Sequence, residues 1–153
     1  MQFVLSLHSL LRWAIVLVGL WTFINSLSGA ISSRKFATKD NLSNLLFMIF
    51  CDLQLVFGLI LYFGNGWFSM LTNNAKEVMH NSISRFFTVE HSLMMIIAWV
   101  LVHIGRAAVK KASTDELKFK RMLVYFGFAI LLILIAIPWP FRQLGDHPWF
   151  RGF

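Results

Sequence analysis

The sequence predicts an all-α fold in which four membrane-spanning helices form an antiparallel bundle. Of the 153 residues, 58% are hydrophobic and 16% are aromatic, a composition typical of a polytopic membrane protein. A helix crosses a bilayer with about 20 mostly apolar residues, and four stretches of the chain meet that requirement. They predict a single domain, residues 1–153, with helices near 8–32, 42–63, 85–105 and 119–138.

The charge distribution predicts the orientation of these helices. The net charge is +7, but the basic residues flank the apolar stretches and form no patch, which excludes nucleic acid as a partner. Nine Lys and Arg residues lie in or beside the first and third connections, and five lie on the other side. The positive-inside rule then places the first and third connections in the cytoplasm and both termini on the outer side of the membrane. We do not interpret the first span as a signal peptide, because its removal would leave basic residues outside.

One face of the first predicted helix is small and polar. Steps of three and four residues from His8 lead along this face through Arg12, Ile15, Gly19, Thr22, Ser26 and Gly29. The opposite face carries Leu10, Trp13, Leu17, Leu20 and Leu27. Close helix packing explains the glycines, whereas His8 and Arg12, one turn apart, indicate a function beyond packing.

The second predicted helix follows a polar turn in which Asp40 or Asn41 is expected to cap it. Asp52 lies near its middle. A carboxyl group there can relay protons, bind a quinol hydroxyl, pair with a base or stay protonated, and the sequence leaves these alternatives open. The only cysteine is Cys51, which excludes a disulfide or a cysteine metal cluster.

The third predicted helix follows an aromatic-rich interfacial connection, in which residues 74–81 are expected to form a short helix. Ser84 is its expected cap, and Glu90 and His91 lie about two turns inside the span. Ionisable residues at such a depth are costly and therefore functional candidates. His103 lies about 120° around the helix from His91 and about 18 Å further along, so one cofactor cannot be bound by both.

The fourth predicted helix ends at Pro138, because the prolines at 138 and 140 stop it. Residues 145–153 are expected to form a short interfacial tail.

The histidines are the main candidates for binding a cofactor, since the sequence shows no hydrolytic triad, phosphate-binding loop or zinc-binding helix. Haem b suits a helical bundle: two imidazoles ligate the iron, small residues accommodate the macrocycle, and arginines neutralise the propionates. His8 and His91 are the candidate axial ligands, with Arg12 and Arg85 as the propionate partners. Asp52 and Glu90 are candidates for proton handling. Spacing alone leaves histidines that only pack or hydrogen-bond as an equal alternative.

Three segments, residues 8–13, 85–91 and 135–141, resemble a small family from Bacteroidota of four-helix membrane proteins commonly labelled cytochrome b or cytochrome b subunit. Residues 53–55 and 58–62 are similar as well. The resemblance implies the four-helix fold and an association with haem. Family members often carry a histidine where this chain has Asp52, so the resemblance gives no ligand on the second helix. A looser similarity, to four-helix membrane protoporphyrinogen oxidases and copper-resistance membrane domains, depends on histidines near helix ends.

Three functions are compatible with these observations. The first is a b-type haem subunit that transfers electrons between quinol and a membrane or periplasmic partner. The second is a cofactor-free accessory subunit that packs within a larger membrane protein complex. The third is a membrane enzyme that oxidises a porphyrin, for which the sequence shows no electron acceptor.

Overall fold

The computed structural model describes residues 1–142, 144 and 149, and within them the regular structure is helical, without a β-strand. Four helices in the described residues are long and apolar enough to cross a membrane. They are α1 (Gln2–Ser32), α2 (Thr38–Gly64), the continuous helix Ser82–Lys110 and α7 (Asp115–Ala136). The third comprises α5 (Ser82–Arg85), a π-helical turn (Phe86–Glu90) and α6 (His91–Lys110). The predicted all-α fold is therefore confirmed, and four of its helices have the length and apolar composition of membrane spans.

The long helices contact one another in a ring, α1 with α2, α2 with α6, α6 with α7 and α7 with α1. Residues 33–37 and 111–114 join consecutive helices at one end, which we call the basic end. The other end, which we call the terminal end, holds the chain's N-terminus, the C-terminus of α7 and the longest connection. That connection contains α3 (Trp67–Asn73) and α4 (Ala75–His80), so the predicted short helix near residues 74–81 is confirmed.

The first three spans begin at other residues than predicted, and in addition the third span ends at Lys110 and α7 begins at Asp115. α1 begins at Gln2, because the apolar residues before His8 continue the helix. α2 begins at Thr38, and Asp40 lies within its first turn instead of capping it; the carboxylate accepts a hydrogen bond from the backbone N–H of Ala37 (2.9 Å). At the start of the third span the cap is Asn81, whose side chain accepts from the backbone N–H of Ser84 (2.9 Å).

The small and polar face of α1 points into the bundle, as predicted. Its buried residues are Ser6, Ile15, Gly19, Thr22, Asn25, Ser26 and Gly29, whereas Leu10, Leu17, Leu20 and Leu27 are exposed. A Cβ atom at Gly29 would overlap the ring of Phe119. The absence of a side chain at Gly29 therefore sets how closely α1 and α7 approach each other.

A buried polar network closes the basic end. Arg34 donates hydrogen bonds to both carboxylate oxygens of Asp40 (2.7 Å each), and Asp40 is fully buried. These hydrogen bonds raise the pKa of Arg34 above its ordinary value. Arg106 turns inward from α6 and donates to the side-chain oxygens of Asn41 and Asn44. The network joins the α1–α2 loop, α2 and α6, and it lets the third span continue past Arg106 to Lys110.

Apolar packing is dense toward the basic end and open toward the terminal end. Phe47, Val102, Met122 and Phe126 are fully buried in the dense half. The corresponding space in the other half is a cavity. The predicted interfacial tail, residues 145–153, lies outside the described residues except for Trp149.

Candidate functional site

The cavity lies between α1, α2, α6 and α7 at the terminal end and has a volume of about 670 Å³. Its size is that of a site for a small molecule or cofactor, and its wall is mostly apolar, as such sites usually are. The side chains on the wall with polar groups include His8, Ser9, Arg12, Gln54, Tyr62, His91, Ser92 and Trp99. His8 and His91, the two residues proposed from the sequence as haem ligands, therefore line the same cavity.

His8 is held against the backbone of α2. A Cβ atom at Gly58 would lie 3.4 Å from His8 Cε1, an ordinary contact distance, so the imidazole packs directly beside this turn of α2. The side-chain amide of Gln54 donates to the backbone oxygen of His8 (3.0 Å), which anchors the same turn of α1. The Nδ1 atom of His8 is buried and has no hydrogen-bond partner among the described residues. A buried polar atom of this kind requires an explanation, and a bound group is one.

His91 is oriented by a backbone carbonyl of α7. Its Nδ1–H donates to the oxygen of Ala136 (2.8 Å). Because a carbonyl oxygen only accepts, the hydrogen is on Nδ1 and the lone pair is on Nε2. Histidines that ligate metals commonly donate their other ring N–H to a carbonyl or carboxylate. The hydrogen bond therefore puts His91 in the tautomer that a metal ligand needs.

The π-helical turn precedes His91 directly. Such turns add a residue to a helix and often occur at functional sites. Here the rings of Phe86 and Phe87 contact the His91 ring, with centroid distances of 5.8 and 6.4 Å. The apolar sequence of this segment gave no indication of the turn, so the orientation of His91 depends on a feature that helical periodicity does not predict.

The two imidazoles are neighbours: their ring centroids are 6.4 Å apart and their planes are inclined by 64°. Metal–imidazole bonds are about 2 Å long, so two nitrogens that share one ion lie about 4 Å apart. The ring separation is compatible with that arrangement. Among the described residues no group of three or more His, Cys, Asp or Glu side chains could hold a metal ion.

The two arginines proposed as propionate partners have different positions. Arg12 lies on the cavity wall, where its guanidinium donates to the backbone oxygen of Trp149 (2.7 Å) and to the hydroxyl of Ser9 (3.3 Å). Arg85 is not on the described wall; it forms an ion pair with Glu90 (2.7 Å) and donates to the backbone oxygen of Met79. The structure brings Arg12 to the two histidines and directs Arg85 to Glu90.

A second polar cluster lies further toward the basic end and was not predicted. The Oδ1 atom of Asp52 accepts hydrogen bonds from Trp99 Nε1–H and His103 Nε2–H, each 2.7 Å long. The sequence correctly separated His103 from His91 but gave it no partner. Asp52 and His103 are polar residues within apolar stretches on neighbouring helices, and that coincidence is the signal that could have predicted the pair. We call Asp52, Trp99 and His103 the Asp52 cluster.

Comparisons with protein-family models, with curated proteins and with solved structures found no match. Function is therefore inferred from the chemistry and geometry of the site.

Proposed function

We propose that this protein is a b-type haem-binding membrane subunit that transfers electrons between a quinol and a membrane or periplasmic partner. The observation that carries the proposal is the convergence of His8 and His91 from different spans on the wall of one apolar cavity. A cavity of about 670 Å³ and two adjacent imidazoles form a donor set that fits haem.

Each residue of the site has a defined task in this proposal. His8 and His91 would hold the haem iron, and the carbonyl of Ala136 fixes the tautomer of His91. Arg12 lies on the same wall and supplies positive charge for a propionate. Haem iron held by two imidazoles supplies reversible one-electron transfer.

The apolar wall has a task of its own. Side chains such as Leu55, Met95 and Ile133 line the same cavity as the histidines and would keep a bound group in apolar surroundings. A dry, low-dielectric environment is one of the features by which a protein sets the reduction potential of a metal group. The proposed site thus combines ligands from α1 and α6 with solvent exclusion by the whole bundle.

A reduced-minus-oxidised absorbance spectrum tests the proposed function. The protein, purified from cells supplied with a haem precursor, is expected to carry haem with the spectrum of a six-coordinate b-type centre. A helical, monodisperse preparation from the same cells that shows no haem band would overturn the proposal.

The proposed orientation places both termini on the periplasmic side of a bacterial inner membrane and the basic end in the cytoplasm. In a Cys51→Ser background, a single cysteine at position 74 is expected to react with a membrane-impermeant maleimide added to intact spheroplasts. Cysteines at Lys35 and Ser113, in the loops of the basic end, are expected to react only after lysis. Labelling of either of them in intact spheroplasts would reverse the orientation.

A further inference from the structure

The Asp52 cluster lies where α2 meets α6, on the outer surface of the bundle. The side chains of Asp52 and His103 are 41% and 37% exposed. They lie well inside spans that run from Thr38 to Gly64 and from Ser82 to Lys110. In a membrane this exposed area faces lipid and not water.

An ionisable pair that faces lipid is energetically unfavourable unless another group completes its hydrogen bonds. Asp52 Oδ1 already accepts from two donors within the cluster. The exposed sides of the carboxylate and of the imidazole face the lipid. A partner that reaches them from the bilayer must be lipid-soluble and must bring hydroxyl or carbonyl groups.

We propose that the Asp52 cluster is a binding site for a hydroquinone, approached from the lipid between α2 and α6. The proposal rests on the proposed function in one respect, because that function selects a quinol among lipid-soluble molecules with hydroxyl groups. This site is separate from the proposed haem cavity and involves none of its candidate ligands.

The hydrogen bonds of the cluster determine what it offers to a ligand. Because His103 Nε2–H donates to the Asp52 carboxylate, the lone pair of His103 is on Nδ1, which accepts a hydrogen bond from a quinol hydroxyl. Asp52 holds the ring in that tautomer. Trp99 holds the carboxylate through its indole N–H, and its ring is 4.4 Å from the imidazole ring, centroid to centroid.

The surroundings suit the apolar parts of a hydroquinone. Val56, one turn from Asp52, and Val100, one turn from His103, are both exposed, and both lie on the terminal-end side of the cluster. They provide an apolar strip for a ring and its tail. Trp99 also lines the cavity that contains His8 and His91, so one indole separates the two sites.

Photolabelling of the haem-free protein in lipid nanodiscs tests this site. The probe is an azidobenzoquinol with a decyl tail, and decylubiquinol competes with it under argon. Labelled peptides are expected to contain residues near 52–56 and 99–103. Asp52→Asn and His103→Gln are each expected to raise the competing Kd by about fivefold, as for loss of one hydrogen bond between neutral groups.

Asp115→Asn is the matched control, since it is the same substitution at another carboxylate of similar exposure, which pairs with Lys118 outside the cluster. The Kd is expected to be unchanged in this variant. Labelling spread evenly over the lipid-facing helices, or equal Kd values in all variants, would refute the site. So would a change in particle mass in Asp52→Asn without a change in Kd, because the pair would then bind another membrane chain. None of these results depends on haem, so they are distinguishable from a failure of the proposed function.

Discussion

Replacement of either His8 or His91 with alanine is expected to abolish the haem absorbance of the purified protein. Each change removes one of two axial nitrogens and opens a coordination position. The reduced-minus-oxidised spectrum and the haem-to-protein ratio are the measurements. Addition of haemin together with free imidazole to the two variants is expected to restore a six-coordinate spectrum, because the lost side chain leaves space of the same shape on the cavity wall.

Two other histidines serve as matched controls. His103 bonds to Asp52 outside the proposed haem site, and His80 lies in the exposed connection, where its Nδ1–H donates to the backbone oxygen of Lys76. His103→Ala and His80→Ala are expected to keep the haem spectrum. Loss of the spectrum in His103→Ala together with its retention in His8→Ala would show that our ligand assignment is wrong and that the haem site lies toward the basic end. If imidazole fails to restore either ligand variant, His8 and His91 have a packing role.

The juxtaposition of His8 and His91 could be predicted because it depends on two simple properties. Each histidine lies on a helix face rich in small residues, and each is about the same distance from the same end of the bundle. Helical periodicity predicts which face of its helix each histidine lies on. The antiparallel order of the helices predicts which end of the bundle each histidine is near. The contact between the His8 ring and Gly58 could not be predicted, because the two residues belong to different helices.

Other features of the site depend on information that periodicity lacks. The π-helical turn before His91 shifts the register of the third span, and Arg85 pairs with Glu90, across this turn, instead of lying on the cavity wall. Likewise, the bond between Asp52 and His103 depends on the relative height of α2 and α6. Contacts between side chains of different helices determine how far α2 and α6 are displaced along the bundle axis. The sequence pattern of a single helix carries no information about this displacement.

One basic residue at the basic end contributes both to the orientation of the helices in the membrane and to the buried polar network of the folded protein. Arg34 counts toward the positive-inside bias, which concerns insertion. In the folded protein it also neutralises the fully buried Asp40 and donates to the backbone oxygen of Asn25 (3.2 Å). The same positive charge that favours a cytoplasmic position for this loop therefore also links the loop to α1 and α2.

Arg34→Met is therefore expected to reduce the free energy of unfolding by about 3 kcal/mol, because it leaves the Asp40 carboxylate buried without its cation. Unfolding in mixed micelles of increasing SDS fraction, followed by circular dichroism, measures the change. Lys120→Met is the matched control: it removes the cation of an exposed pair with Glu116, and such pairs contribute about 0–1 kcal/mol.

The double variant Arg34→Met/Asp40→Asn separates the buried charge from the other contacts of Arg34. Asparagine keeps the shape of the Asp40 side chain and carries no charge to bury. The double variant is expected to be more stable than Arg34→Met alone, since removal of the uncompensated carboxylate offsets the loss of its partner. Equal destabilisation by Arg34→Met and Lys120→Met, or a double variant less stable than Arg34→Met, would show that the buried ion pair does not hold the basic end together.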